Sequence, residues 1–338
     1  MRRPVSVSPF PLLDRLAPAK ATIARRMLLA GQEIDPARFA ARGLALSRAD
    51  RAVLAEFAAQ GLRTRVVERV RSRDGSVRLV VRAGDDLIET VAMPVGAVCV
   101  STQVGCAVRC RFCASGRDGL KRNLETIEIV EQLVHARREM RIDRIVFMGM
   151  GEPTHNLEHV LAAAGHFRHD GLVSFRRQTV STVGSRRAFA RMLAAEVSPA
   201  LALSLHAVDP DLRRRLLPHA PAEPVDELLA AADDYARRIG NPVQVEWTLL
   251  DGVNDRDEDA DALAERMQGV YGYVNFIVWN AVDGAPFAPT PHARVVDLVR
   301  RVKRRGVLAT MRLSAGADVE AACGQLRLRA LAGAASAD

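Results

Sequence analysis

The sequence predicts an α/β fold: a parallel, barrel-like sheet with crossover helices, preceded by a small helical and β-hairpin region. Three observations predict it. From about residue 98 onward, short apolar runs alternate with amphipathic stretches. The strand-then-helix unit recurs six times, which implies a parallel sheet with right-handed crossovers. The runs are nearly continuous in apolar residues, as strands covered on both faces must be.

Residues 1 to about 60 read as short helices. In "SRADRAVLAEFAAQG" (47–61), Val53, Leu54, Phe57 and Ala58 recur at helical spacing, with Ser47 as the cap and Gly61 as the stop. The following stretch alternates with period two, and Asp74-Gly75 is a hairpin signal, so two or three antiparallel strands should end at Pro94. Arg63, Arg65, Arg69, Arg71, Arg73, Arg78 and Arg82 stud this segment, either as a solvated face or as a phosphate-binding one. The parallel strands are predicted at 98–101, 144–150, 178–183, 200–206, 243–250 and 274–280, with a last strand at 308–313. Helices are predicted between them, for example at 126–140 and 293–306. Polar residues punctuate the C-terminal ends of these strands, the end that carries the active site in α/β barrels. The Ala-rich tail reads as frayed.

The bulk numbers narrow the class. With 338 residues, 49% hydrophobic and 26% charged, the chain can bury a sizeable core. It contains no run of 18 apolar residues, so no membrane helix and no membrane partner are expected. The basic N-terminus is broken by prolines and Asp14 and makes a poor signal peptide, so a cytoplasmic location is expected. The net charge of +8 suits an acidic partner such as nucleic acid. Only Lys20, Lys121 and Lys303 are lysines, so the excess is carried by arginine and also fits a GC-rich coding sequence.

Five cysteines, an odd number with three on one loop, do not suit a secreted disulfide framework. Cys106, Cys110 and Cys113 are spaced C-x3-C-x2-C. A closed zinc site needs a fourth ligand, and none stands at matching distance. A 4Fe-4S cubane held by three thiolates keeps one iron open for a small molecule. "GMGEP" (149–153) follows the next strand, where a Gly-Glu turn frees backbone groups for a ligand. Taken alone, Cys99 and Cys323 read as buried apolar thiols and His206 as a core histidine.

The chain resembles the RlmN/Cfr family of radical S-adenosylmethionine (SAM) RNA methyltransferases. The matching stretches are "IETVAMP" (88–94), "CVSTQVGCAVRCRFC" (99–113), "KRNL" (121–124), "VFMGMGEPTHN" (146–156), "TVSTVG" (179–184), "LALSLHAVDPDLRRRLLP" (201–218), "LLDGVND" (249–255), "WNAVDGAPF" (279–287) and "AACGQL" (321–326). They run in family order over about residues 63 to 326. The resemblance implies a partial (β/α)6 radical SAM barrel over 96–326, following the helical region over 1–60 and the hairpin extension over 61–95 and preceding the tail over 327–338. It also implies a 4Fe-4S cluster, two SAM molecules per turnover, an rRNA or tRNA substrate, an electron donor such as flavodoxin or ferredoxin, and a monomer.

The resemblance also implies roles. Cys106, Cys110 and Cys113 would hold the cluster. Gly151, Glu152, Ser181, Ser204, Leu205, His206 and Asn280 match SAM-contacting positions, His206 through its backbone. In the family one SAM methylates a cysteine, matched by Cys323. The second is split to a radical that takes hydrogen from that methyl group, and the resulting methylene radical adds to carbon 2 of adenine. Carbon 2 is electron-poor and does not attack a sulfonium directly, hence the radical route. Cys99 matches the cysteine that releases the product by forming a disulfide with Cys323. Glu89 matches the residue that takes the ring proton, and burial among apolar neighbours would raise its pKa to suit a base. Carbon 8 methylation of the Cfr kind, another RNA target, and a non-catalytic iron-sulfur RNA binder are the alternatives. Three departures bear on the RNA rather than the chemistry. Residues 1–60 lack the family's usual "RAKQ…W"-type helix, the segment between Glu89 and Cys99 is short, and "RLSAGADVEAACGQL" carries two fewer positive charges than "RKTRGDDIDAACGQL".

Overall fold

The computed structural model describes residues 8–312, 315–319 and 322–326. Ten strands form one sheet. Three precede the barrel: β1 (Thr64–Arg71), β2 (Val77–Ala83) and β3 (Asp86–Met93). The parallel set begins with β4 (Ala97–Cys99). A separate two-stranded ribbon, β5 (Gln103–Gly105) with β6 (Leu120–Asn123), brackets the three-cysteine loop. The set then continues through β7 (Arg144–Phe147), β8 (Gln178–Thr182), β9 (Ala200–Ser204), β10 (Val243–Leu249), β11 (Gly272–Val278) and β12 (Ala309–Arg312). The sheet order is β1-β2-β3-β4-β7-β8-β9-β10-β11-β12. Every pair from β4 to β12 is parallel, and the pairs before β4 are antiparallel. With β1 and β12 at its edges, the sheet is an open, partial barrel.

The hairpin region yields three strands and turns at Asp74-Gly75, where Gly75 has φ +86°. Through β3 it pairs directly with β4, Val91 facing Cys99, so the antiparallel strands prolong the barrel sheet. Leu313, the last residue of the predicted final strand, and the tail 327–338 lie outside the described residues.

The parallel strands are apolar because helices cover them outside and the lumen closes them inside. Leu201, Ala202 and Leu203 are fully buried, as are Val243, Val245 and Leu249. The helix Val225–Ile239 buries Leu228, Leu229, Ala232, Tyr235 and Ala236 between β9 and β10 and stops at Gly240, φ +64°. The helix His292–Arg304 presents Val295, Leu298 and Val302, one stripe at helical spacing. At the N-terminus, Ser47 and Asp50 form a capping box on Arg48–Gln60, and Gly61 ends that helix at φ +68°. The helix Pro18–Leu29 buries Ala24, Met27, Leu28 and Leu29 in the same continuous core as the barrel. Its last turn is tied by Arg137, which donates to the Leu29 carbonyl at 2.9 Å.

Helix Thr126–Glu139 joins β1 to the barrel through a buried polar knot. Glu131 accepts from the Arg63 and Thr64 amides at 3.0 and 2.7 Å, and His135 Nε2 lies 2.9 Å from the Thr64 hydroxyl. Burial, with Arg138 and Arg69 nearby, pushes His135 from 6.5 down to about 4. The unfolded chain therefore takes up a proton on acidification where the folded chain does not. Stability is complete above pH 6.5 and falls as pH drops toward 4, by on the order of 1.4 kcal/mol per pH unit. Urea unfolding of His135→Gln should show a shallower acid decline than the parent over that interval; parallel declines would exclude this histidine as the cause.

The arginines of β1 and β2 are partly spoken for. Arg63 pairs with Glu125 at 2.7 Å, Arg69 and Arg71 share Glu139 at 2.9 and 3.0 Å, and Arg78 pairs with Glu89 at 2.7 Å. Arg65, Arg73 and Arg82 form no ion pair among the described residues.

Candidate active site

Lumen-facing side chains recur with period two along each parallel strand, so each strand carries residues from one end of the barrel to the other on a single face. Arg144, Val146 and Met148 follow this rule from β7, Thr179 and Ser181 from β8, Gln244, Glu246 and Thr248 from β10, and Tyr273, Asn275 and Ile277 from β11. The early members line a cavity of about 480 Å³ at the N-terminal strand ends. The late members line a second cavity of about 150 Å³ at the C-terminal ends. Met148, Arg312 and Cys323 line both, so the two cavities meet at these side chains.

Cys106, Cys110 and Cys113 face the upper cavity. Their loop is a tight fold. Arg109 takes φ +56°, and a Cβ on Gly116 would stand 2.7 Å from the Arg109 Cα. The Cys106 amide donates to Gly119 at 2.9 Å, Cys113 to Cys110 at 3.0 Å and Arg111 to Leu216 at 3.0 Å. Burial and the neighbouring thiol of Cys113 push Cys106 up to about 12. Cys110 is driven well above 9.0 by burial and by both partner thiols. Three desolvated sulfurs that repel one another as thiolates need a cationic centre among them. They fit a cubane, in which each thiolate binds a different iron. A single ion fits less well, because no three such side chains converge on one point among the described residues.

Most residues expected to contact SAM surround the same cavity. Gly151 and Glu152, Ser181, Ser204, His206 and Asn280 line it. Gly151 takes φ +108°, and a Cβ there would meet Gln103 at 2.6 Å. The Glu152 carboxylate is consumed locally, accepting from the Thr154 amide at 3.0 Å and the Val183 amide at 3.0 Å. The hydroxyls of Ser181 and Ser204 are 3.1 Å apart. His206 takes φ +62°, rare for a side chain with a Cβ, and its Nδ1 accepts from the Thr248 amide at 2.9 Å. Burial, then Arg213, pushes it down to about 3, so the imidazole is neutral and unsuited to proton transfer. Leu205 differs from the others. Its side chain is fully buried and its amide donates to the Glu246 carbonyl at 3.0 Å.

Cys323 is fixed from two sides. The Ala114 amide of the cysteine loop donates to the Gly324 carbonyl at 2.7 Å, and the Ser115 hydroxyl donates to Leu326 at 2.6 Å. Asn280 Nδ2 donates to the Cys323 carbonyl at 3.1 Å. Cys99 lines the lower cavity together with Cys323. All five cysteines are free. Cys99 is buried, as its residue type taken alone suggests, whereas the role that the resemblance implies calls for a reactive thiolate. Cys99 is 8% exposed, and burial and Cys323 push its thiol up to about 12 against the pull of Arg312. Ionisation at Cys99 therefore has to come with a rearrangement or with added positive charge. Glu89 shares the sheet face of Val91, the partner of Cys99 in the β3–β4 ladder. Its surroundings are not apolar alone, since Arg78 donates to its carboxylate at 2.7 Å and neutralises it.

Arg312, Glu246 and Met148 are residues that reading the sequence alone does not single out. Arg312 lies at the end of β12, charge-coupled to Cys323 and Cys99, 3.7 Å from Glu246, with its guanidinium 3.5 Å from the Met148 sulfur. The available signal is a charged residue closing an apolar strand. Glu246 is likewise an acid inside the apolar run of β10, held by Asn275 at 3.0 Å and raised by burial.

This chain is similar to several known proteins. Residues 100–264 match the radical SAM superfamily. A protein of Pseudomonas paraeruginosa named "Probable RNA methyltransferase" is 48% identical over 258 residues, covering 76% of this chain and 75% of the relative. One of Thiobacillus denitrificans, similarly named, is 44% identical over 316 residues, covering 93% and 87%. The crystal structure of a radical SAM methyltransferase from Sphaerobacter thermophilus is similar with a TM-score of 0.85 and 35% identity, covering 95% of this chain and 98% of that one. No helix among the described residues is long and apolar enough to cross a membrane.

Proposed function

This chain belongs to the RlmN/Cfr-like family of radical SAM methyltransferases, which use a 4Fe-4S cluster and SAM, and from that premise we propose that it methylates carbon 2 of an adenine in RNA through S-methyl-Cys323. The observation that carries this reading is the position of Cys323, which lines the cavity of the three-cysteine loop and also the cavity of Cys99. A single sulfur can therefore receive a methyl group on one side and present it to a base on the other. The net charge of +8 and the names of the relatives support RNA as the substrate, with 23S rRNA and tRNA the expected classes.

Cys106, Cys110 and Cys113 hold the cluster in this reading, and Gly151, Ser181, Ser204 and Asn280 border the SAM beside it. When bound, the pair supplies the electron, the methyl group and the hydrogen-abstracting radical that no side chain can supply. The rest falls to the chain. Asn280 and the Ala114 amide hold the Cys323 loop so that its sulfur stays at the junction. Glu89, with Arg78 as counter-ion, accepts the proton leaving the ring carbon as the adduct radical gives up one electron, which a bound cluster would take back. Cys99 then attacks the Cys323 sulfur as its thiol gives up its proton. The bond from that sulfur to the methylene carbon breaks, its electron pair goes to the product and picks up a proton, and a Cys99–Cys323 disulfide remains. Reduction of that disulfide, by a thiol donor, and of the cluster, by a flavodoxin- or ferredoxin-type donor, resets the enzyme.

Digestion of RNA from cells with and without the gene, followed by nucleoside mass spectrometry, tests the reading. 2-Methyladenosine should disappear with the gene. Loss of 8-methyladenosine instead would move the chemistry to carbon 8, and unchanged methyladenosines would end the proposal.

A further inference from the structure

The lower cavity ends in a basic rim. Arg144, Arg176 and Arg177 are exposed and border it at the N-terminal ends of β7 and β8, beside Gln244 and Tyr273. Arg177 is paired with Asp143 at 2.7 Å. Arg144 and Arg176 form no ion pair among the described residues, and Arg176 lies against the Phe175 ring at 5.8 Å. On β1, by contrast, Arg69 and Arg71 share the Glu139 carboxylate. The two openings of the lumen are also unequal. The upper cavity, of about 150 Å³, is walled by the cysteine loop and its neighbours. The lower one, of about 480 Å³, is of a size that holds small organic ligands and reaches both Cys99 and Cys323.

We infer that the substrate strand binds across the N-terminal mouth of the barrel, opposite the cysteine loop, with Arg144 and Arg176 on phosphates flanking the target base. This rests on the RNA reading above and adds the route by which the base arrives. The ligand class is an unpaired nucleotide. Its flat heterocycle enters the lumen toward Met148 and the two thiols, while its phosphates stay at the wet rim on guanidinium groups that no carboxylate claims among the described residues. Contacts of this type position the strand and carry little base specificity. Entry from below also leaves the upper cavity free for the group that methylates Cys323, so both partners reach one sulfur without displacing each other.

The test uses the full chain with its cluster reconstituted and an RNA hairpin bearing one adenine in its loop. Binding is followed by fluorescence anisotropy over a range of salt, and methylation of Cys323 by SAM without RNA is followed by protein mass spectrometry. Arg144→Ala/Arg176→Ala should weaken RNA binding about tenfold or more. The slope of log affinity against log salt should fall by about 1.4, at about 0.7 per single-strand phosphate. Methylation of Cys323 should be unchanged. Arg65→Ala/Arg73→Ala, on the β1 side, should bind within about twofold of the parent. Unchanged affinity and slope in the mouth variant, or a loss confined to the β1 variant, overturns the inference. If the double variant loses methylation of Cys323, Arg144→Gln and Arg176→Gln are read singly, and parental affinity in both overturns it equally. A parent protein that binds RNA with this arginine dependence but never methylates Cys323 would leave the mouth assigned and remove the proposed function.

Discussion

Protein carrying Cys99→Ala should accumulate with RNA covalently attached, and multiple turnover should fall by on the order of 10³-fold or more, the scale seen when a covalent participant is removed. The expectation follows from where the two thiols lie. Cys99 and Cys323 line one cavity, whereas Cys323 alone reaches the cysteine loop. In the proposed reaction, removing the Cys99 sulfur leaves the methyl-carrying side intact and deletes only the group that would displace the sulfur of Cys323. The fold should tolerate the change. Cys99 ends a buried strand, and its ladder partner Val91 stays in place, so the loss of one sulfur costs about 1 kcal/mol of packing. The adduct is read as RNA-dependent retardation on a denaturing gel, resistant to thiol reductants because the bridge is carbon to sulfur. Cys99→Ala/Cys323→Ala should show none. Free methylated RNA at the parental yield from Cys99→Ala would remove the resolving role from this residue.

Replacing one of the three loop cysteines should have the broader effect. Cys110→Ala leaves two thiols where three surround the upper cavity, and a cubane with two protein ligands is not retained. Iron content and the visible absorbance of iron-sulfur thiolates should be lost, and with them methylation of Cys323 and of RNA, each to background. Chelation of iron from the parent protein should produce the same result. The fold should survive, because the loop is also held by the Cys106–Gly119, Arg111–Leu216 and Ala114–Gly324 backbone bonds, none of which involves a thiol. A cooperative unfolding transition close to that of the cluster-free parent would show this. Full iron and full activity in Cys110→Ala would remove it from the ligand set, and stoichiometric zinc in the parent would replace the cluster altogether.

Much of this site is legible in the chain because its chemistry is local. Cys106, Cys110 and Cys113 share one loop, so their spacing alone limits the metal. Gly151, Ser181, Ser204 and His206 each follow or end an apolar run, and a parallel sheet brings such ends together. Leu205 enters through the resemblance alone, and its side chain points into the core between two lumen-facing neighbours. Glu89 reads as an acid among apolar residues, and its counter-ion Arg78 stands across the hairpin on β2, eleven positions earlier. The distance between strands in sequence hides that pair.

What the sequence determined by itself is the set of elements and the reagents they carry: strands that alternate with helices, turns at glycines, and five thiols in a fixed order. Tertiary structure alone decided which reagents meet. Cys99 and Cys323 come together because β4 and the segment after β12 face one lumen, and Arg312 joins them because β12 follows β11 in the sheet. The same closure buried Cys99, pushing its thiol up, and left Arg144 and Arg176 at the opposite mouth without an ion pair among the described residues. The physical reason is that spacing and periodicity act over a few residues, whereas burial, charge pairing and cavity walls are set by side chains from strands far apart in the chain.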